Sequence, residues 1–453
     1  MKKLLSLFIT LHLVSFSTSS HAEDLLQIYK QARETNPELL KALADRNSVF
    51  QGINIARSPL LPALDLKAKA KYNKEFRDSE QEGYSSSASL MLEQTIFDMA
   101  KWSKLNQAEK LASIADINYL IAQQKLTLDT ANAYFDVLYK IDSLTYTEAQ
   151  KASLYRQLDQ ATQRFNVGLS TITDVQSAQA QYDAIIAQGV YDSNDLINSL
   201  EKLRLITGIH YSQLASLNIE NLKISKPEPV ETILKEAKNA NLSLLSARLM
   251  QDLKQEQVKE AQTGYMPTII LSANTDIDNR HQRNGTYKNE YTGGNSANIS
   301  LSLPLYSGGS TSSKTSQAKY NSVSSAHDLE NTYRKVIQNV RSSYNDITAS
   351  ISKIEANKQT VISAESSLNA MEAGYQVGTR TIVDVLNATT KLYQAKRGLS
   401  QARYSYLLSL LVNRQARGNL NEKDIFEINN MLGRNISTSV NSIIKEIKTP
   451  TTY

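Results

Sequence analysis

The stretch Gly374-Tyr375-Gln376-Val377-Gly378-Thr379-Arg380-Thr381-Ile382-Val383-Asp384-Val385-Leu386 occurs in a second version as Phe165-Asn166-Val167-Gly168-Leu169-Ser170-Thr171-Ile172-Thr173-Asp174-Val175. The two align without a gap at an offset of 210, Gly168 to Gly378. Each reads as a tight turn between two helices. The glycine stands where a left-handed residue ends a helix. Thr381 and Asp384 follow at N-cap and N3 spacing, a variant of the capping box. A chain that makes the same hairpin twice is built from two copies of one unit, so repeats govern its architecture. At the same offset Tyr134, Asp136 and Ile141 match Tyr344, Asp346 and Ile351, while Ala178, Leu200 and Gly208 match Ala388, Leu410 and Gly418. Upstream the offset is 205: Asn36, Leu39-Leu40, Ala56 and Pro62 match Asn241, Leu244-Leu245, Ala261 and Pro267. The expected division is 23–226 for the first repeat, 227–418 for the second and 419–453 for a final segment with a loose tail.

Residues 1–22 read as a secretory signal peptide: Met1-Lys2-Lys3, an apolar run from Leu4 to Phe16, and small residues up to Ala22. An uncleaved anchor is the alternative, but the apolar run is short for a spanning helix. The chain contains no cysteine, so no disulfide framework supports the fold. A net charge of only +5 gives no reason to expect nucleic acid as a partner. Beyond residue 22 no apolar run approaches the roughly 20 residues of a membrane helix. If the chain crosses a membrane, it does so as barrel strands.

Each repeat follows the same order. Helix is expected over Glu23–Arg57, broken near Asn36-Pro37 because the residue before proline disfavours helix. A strand follows, with Leu64, Leu66, Ala68, Ala70 and Tyr72 on one face and Asp65, Lys67, Lys69 and Lys71 on the other. After a polar loop over 73–86, a second strand presents Ala88, Leu90, Leu92 and Ile96. From Tyr84 to Val167 there is neither glycine nor proline, apart from strand residues a span long enough for a helix of about 90 Å. Tyr134, Val137, Ile141 and Leu144 take heptad steps within it. The return helix ends near Gly208, and 209–229 reads as irregular. In the second copy the strand pair spans about 267–306. Ile269, Leu271, Ala273 and Ile277 share one face, and Ile299, Leu301, Leu303 and Leu305 another. A polar loop is expected over 278–296, with the Gly293-Gly294 pair as loop punctuation. Ser310 to Ala373 again lacks glycine and proline, with Tyr344, Ile347, Ile351 and Ile354 in heptad steps, the return helix reaches about Arg417, and a helical patch lies near 424–432.

Four strands that alternate apolar and polar leave two open edges, which lipid does not tolerate. Closure needs about eight strands or more, so several chains must share one barrel. Two copies give eight strands and three give twelve. The polar faces then line a water-filled duct. A soluble sheet on a helical stalk is one alternative. A non-pore periplasmic coiled-coil adaptor or structural protein is another, and the pair of amphipathic strand hairpins argues against it.

The chain resembles the TolC-type outer-membrane efflux proteins. The resemblance rests on Ala56-Arg57-Ser58-Pro59-Leu60-Leu61-Pro62, on Ser302-Leu303-Pro304-Leu305-Tyr306-Ser307-Gly308-Gly309, and on the two hairpins. It implies a mixed α/β membrane channel. In that form a homotrimer makes a twelve-stranded outer-membrane barrel, continued by a long α-helical periplasmic barrel. It also implies an exit duct for multidrug efflux and type I protein secretion. Implied partners are a periplasmic adaptor and an inner-membrane transporter of the RND, ABC or MFS type. Phage or bacteriocins are conceivable ligands of the exposed loops. No enzymatic activity, cofactor or metal is expected: His210, His281 and His327 lack metal-ligand spacing, and no phosphate loop or nucleophile elbow is present.

The copies differ at the turn: Arg380 stands for Ser170, and Val383 for Thr173. The resemblance implies that Arg380 bridges to Thr173 and Asp174, that Tyr375 bonds Asp174, and that Gln157 bonds Glu372. These links would close the periplasmic entrance. The family pattern also has aspartate at two positions of one helix turn that ring the bore. This chain keeps Asp384 but has Asn387 at the second. Asp174 and Asp384 are expected to cap their helices as well. Ala178 and Ala388 read as ordinary helix formers, and Trp102 as either a membrane-interface residue or part of a core below the barrel.

Overall fold

The computed structural model describes residues 23–75, 81–284 and 286–448. The expected signal peptide, residues 1–22, lies outside the described residues. The chain runs α1 (Leu25–Thr35), α2 (Pro37–Arg57), β1 (Ala63–Glu75), β2 (Gln81–Phe97), α3 (Met99–Asn166), α4 (Ile172–Thr207), β3 (Gln213–Leu217), α5 (Val230–Ala240), α6 (Leu242–Gln262), β4 (Thr268–Asn284), β5 (Thr286–Ser302), α7 (Ser310–Gln376), α8 (Ile382–Arg417), α9 (Glu422–Asn429), β6 (Leu432–Ser437) and α10 (Val440–Lys448). The duplication is visible in this order: two short helices, a strand hairpin, then a helical hairpin, twice.

At the head of each repeat an asparagine does two jobs. Asn36 ends α1 and caps α2, its Oδ1 accepting from the Leu39 N–H and its Nδ2 donating to the Ile206 carbonyl. Asn241 repeats this with the Leu244 N–H and the Ala416 carbonyl. Each asparagine thereby ties the head of its repeat to the last turn of its return helix. Those return helices stop at Gly208 and Gly418, both left-handed. Gly418 has no alternative, because φ is +91° and a Cβ there would stand 2.3 Å from the Ala240 carbonyl oxygen. Gly418→Ala combines a disfavoured backbone with a collision against backbone. Its expected cost is about 3 kcal/mol or more, read as a lowered unfolding temperature of the purified protein by circular dichroism.

The long helices have 68 residues in α3 and 67 in α7, each about 100 Å. The heptad positions do bury: Tyr134, Val137, Ile141 and Leu144 are 4% exposed or less. They form the main core with α1, α8 and α9. A second cluster near the hairpin turns contains Leu154, Ala161, Ala178, Leu368, Tyr375, Ile382, Val385 and Ala388. Ala178 and Ala388 are therefore packing residues, small enough to seat one helix on another, rather than merely good helix formers. Trp102 is half-exposed, so it does not pack into the protomer core.

All four long strands form one antiparallel sheet in the order β1-β2-β4-β5, which joins the two repeats at β2 and β4. One face carries Leu64, Leu66, Ile277, Ile299 and Leu301, all well exposed in the single chain. A bulge falls between Thr95 and Phe97, so Ile96 lies outside the regular alternation. Strand continues through most of the stretches read as loops. β1 reaches Glu75, β2 starts at Gln81, and β4 and β5 run to Asn284 and from Thr286. Gly293 and Gly294 sit inside β5, opposite Ile277 and Asp276. Conversely, β5 stops at Ser302, so Leu303 and Leu305 are beyond the strand, where Pro304 has no N–H to pair.

The segment 209–229 is not wholly irregular. β3 pairs antiparallel with β6, and Glu23 bridges to Leu214. The Tyr134 hydroxyl donates to the Ala215 carbonyl at 2.5 Å, fixing this small sheet to the middle of α3. Residues 440–448 of the expected loose tail form α10.

Candidate functional site: the helical hairpin ends

Both turns close as the sequence implies. Gly168 and Gly378 have φ of +76° and +80°. Both capping boxes are complete, Thr171 with Asp174 and Thr381 with Asp384. Asp174 Oδ2 accepts from the Ser170 hydroxyl at 2.8 Å and from the Thr171 N–H at 3.1 Å. The Ser170 bond is the main reason its carboxyl is held below the usual carboxylate range. Asp384 Oδ2 accepts from the Thr381 N–H at 3.0 Å and its hydroxyl at 2.9 Å. The backbone bond leads in lowering its carboxyl, with Arg380 a lesser contributor.

Asp384 is half-exposed and Asn387 exposed, while Ile382, Val385, Leu386, Ala388 and Thr389 are buried. The two polar residues thus share the unpacked side of the first turns of α8. Thr173 and Arg380 are exposed on their separate hairpins. Around one cavity of about 290 Å³ the fold gathers Gln157, Glu372 and Tyr375, with Arg156, Gln160 and Val385. Gln157 donates to the Thr389 hydroxyl at 2.8 Å. Its Oε1 and the Tyr375 hydroxyl are buried and have no hydrogen-bond partner. Among the described residues, no bond joins Arg380 to Thr173 or Asp174, Tyr375 to Asp174, or Gln157 to Glu372 within one protomer.

Arg164 was not singled out from the sequence. Its guanidinium lies over the Tyr375 ring, 4.5 Å from the centroid. It also donates to the Tyr375 carbonyl at 3.0 Å and the Gln376 carbonyl at 3.4 Å. It therefore clamps the first hairpin to the last turn of α7. A signal was present: Arg164 corresponds to Gly374 in the second copy. That glycine is needed where it stands, since a Cβ on it would come within 2.6 Å of the Arg380 side chain.

Above the turns, polar side chains cross from α8 to α3 at intervals. Arg397 donates to Thr147 Oγ1 at 3.1 Å and to Gln150 Oε1 at 3.2 Å. Burial pulls its pKa down, and Asp192 on α4 opposes this. Thr147 in turn hydrogen-bonds Asp192. Higher still, the Ser400 and Tyr404 hydroxyls donate to Asp142, whose carboxyl is pushed up by burial. Neither group was legible as a site, because each needs helices more than 200 residues apart to meet.

Comparison with known proteins places the chain. The family model described as "Outer membrane efflux protein" matches residues 28–209 and again 233–418, one match per repeat. The chain is 53% identical over 452 residues to the outer membrane protein TolC of Salmonella enteritidis, covering 98% of this chain and 92% of that one. It is 52% identical, with the same coverage, to TolC of Escherichia coli K12. The alkaline protease secretion protein AprF of Pseudomonas aeruginosa is 29% identical over 94% of this chain and 90% of its own. Among solved structures, CusC superposes with a TM-score of 0.78 at 14% identity, covering 87% of this chain and 92% of that one. VceC of Vibrio cholerae does so at 0.73 and 18%, covering 87% and 96%. The duplicated hairpins, the four-stranded sheet and these likenesses agree: the chain belongs to the outer membrane efflux protein family, with the channel fold of that family and a place in the outer membrane.

Proposed function

We propose that three copies close one twelve-stranded barrel in the outer membrane and continue it as a helical duct into the periplasm. Efflux substrates and secreted proteins would leave through it. The observation that carries this reading is the sheet. β1 and β5 are open edges, and one face is a band of exposed Leu and Ile. An open edge is not stable in lipid, and that band is not stable in water. Closure of β5 on the next copy's β1 pairs the edges, and the hydrocarbon of the membrane covers the band. Native mass spectrometry of the detergent-solubilised protein, with chemical crosslinking, is expected to give trimers; dimers or monomers alone would overturn the reading.

The duct is energised by its partners, a periplasmic adaptor and an inner-membrane RND, ABC or MFS transporter. Val167, Leu169 and Val377 stand 69%, 76% and 75% exposed at the hairpin ends, apolar surface of the kind a docking partner covers. The protease-secretion names of AprF and of PrtF from Dickeya chrysanthemi favour type I secretion as one use. The efflux name of BepC from Brucella suis favours the other.

The hairpin ends close the entrance. In the closed assembly Arg380 reaches Thr173 and Asp174, Tyr375 reaches Asp174, and Gln157 reaches Glu372. What supports the Tyr375 link is spare bonding capacity: the Tyr375 hydroxyl is buried with no partner in one protomer and can donate to a carboxylate. A buried polar group left unpaired costs about 1–3 kcal/mol, so it favours any state that supplies one. Gln157 would reach Glu372 through the second N–H of its Nε2, the first being given to Thr389. Opening moves α7 and α8 away from α3 and α4, and must break the Arg397 and Asp142 crossings on its way.

A further inference from the structure

Beside the middle of α3 lies a cavity that plays no part in the hairpin ends. The Tyr134 hydroxyl pins β3 to α3 through the Ala215 carbonyl. Immediately beyond, the β3–β6 register shifts between Ser216 and Leu217, a bulge of the kind that re-aims side chains. Both bulge residues line a cavity of about 410 Å³, enclosed by α3, α8, the β3–β6 sheet and α10. That volume falls among small-molecule sites, which run from about 300 to 1,000 Å³. The lining comes from one chain, so the site does not depend on the trimer proposed above.

Two chemistries meet in it. The small sheet, the turn after β3 and α10 supply Leu217, Ile219, Ile436 and Ile443, of which Ile219 is 57% exposed. The long helices supply Asp142, Tyr146, Arg403 and Tyr404. The charged groups are Asp142 on α3, Arg403 on α8 and Arg434 on β6, two cations against one carboxylate. Asp142 is already engaged, since its Oδ2 accepts from the Ser400 and Tyr404 hydroxyls. Burial pushes its carboxyl up, with those two bonds and then Arg403 opposing. Burial also pushes up the phenols of Tyr146 and Tyr404, so both face the cavity neutral. Arg403 is half-buried, and among the described residues it makes no hydrogen bond or ion pair. Its planar fork of N–H donors, partly withdrawn from water and unpaired, holds an anion more firmly than an exposed cation does.

We propose that this cavity binds a small amphipathic anion, one acidic headgroup on a compact apolar body, with the headgroup on Arg403 and the body against Leu217, Ile219, Ile436 and Ile443. Asp142 makes the site proton-dependent. An ionised Asp142 repels the headgroup, and a protonated one does not, so binding is tightest when Asp142 carries its proton. The occupant touches α3, α8 and the small sheet together, at the place where Asp142 already links α3 to α8.

The test is calorimetric titration of the purified protein in nanodiscs with naphthalenesulfonate, which stays ionised throughout, against empty nanodiscs as the blank. One probe per chain is expected to bind. Methanesulfonate, a headgroup without the body, should bind about tenfold more weakly or worse. Arg403→Gln should weaken naphthalenesulfonate about tenfold or more, and Arg403→Lys should keep most of the affinity. Lowering the pH from about 8 to about 5 should tighten binding to the parent, because Asp142 takes up a proton while the probe keeps its charge. Asp142→Asn preserves an acceptor for Ser400 and Tyr404, and should bind about threefold more tightly at neutral pH and lose that pH dependence. Ile219→Ser, at an exposed position, should weaken binding about threefold and carries the test if the arginine variants do not fold. A parent that does not bind, equal affinity for methanesulfonate, or unchanged affinity in Arg403→Gln or Ile219→Ser overturns the proposal. PH dependence that survives in Asp142→Asn overturns the part given to Asp142.

Discussion

Channels carrying Tyr375→Phe together with Arg380→Ser will pass single-channel currents several-fold larger than the parent protein in planar bilayers. Within one protomer these substitutions remove almost nothing. The Tyr375 hydroxyl has no partner there, and its ring remains under Arg164. Arg380 is exposed, and serine is what the first copy carries at this place, Ser170. Loss of protomer stability is therefore not the expected consequence. What is lost are the bonds proposed above for these side chains to the first hairpin in the closed assembly. A charge-assisted bond is worth about 1.5–3 kcal/mol, and threefold symmetry removes each one three times over. A closed state favoured by a few kcal/mol does not survive that loss. If the double variant conducts like the parent, Tyr375 and Arg380 do not hold the entrance shut.

The second large effect concerns the ring that Asp384 and Asn387 are expected to form around the bore of the proposed trimer. Asn387→Asp should make the channel markedly more sensitive to block by a trivalent cation added from the periplasmic side, and Asp384→Asn should remove most of the block the parent shows. Asp384 and Asn387 share the unpacked side of α8, where three copies would meet around the axis. Asp384 is already committed to capping through Oδ2, and those same bonds keep its carboxyl ionised. Three such carboxylates attract cations. Each pair about 6 Å apart also repels by roughly 3 kcal/mol at an effective dielectric near 20. If both residues ring the bore as proposed, asparagine at 387 halves the charge available on this turn while keeping the bore polar, and the parent is expected to show weak block. An Asn387→Asp channel with an unchanged blocking concentration would mean that residue 387 faces away from the bore.

Much of this architecture was legible because it is local. The Gly168 and Gly378 turns, the Thr-Asp capping boxes, the break at Asn36-Pro37 and the heptad run from Tyr134 to Leu144 each depend on residues within a few positions. The alternation in β1 was equally clear, because apolar and charged residues face opposite media. Where both faces turn polar, the signal vanishes. The upper parts of β4 and β5, around Asp278 and Gly293-Gly294, read as loop, yet backbone pairing carries them on as strand. The five residues of β3 are too few to show a period, and their partner β6 lies more than 200 residues away.

The gate divides in the same way. Differences between the copies pointed to Arg380, and the same comparison contained Arg164 against Gly374. Only the folded chain reveals that Arg164 reaches the Tyr375 ring, that Gln157 donates to Thr389 within one protomer, and that Arg397 and Asp142 cross between hairpins. Sequence alone determined the duplication, the turns, the caps and the amphipathic strands, because short-range sterics and hydrogen bonding decide them. Tertiary structure alone decided which side chains meet across helices about 100 Å long, since a contact between α3 and α8 depends on the rotation and register of two packed rods, which no local pattern encodes.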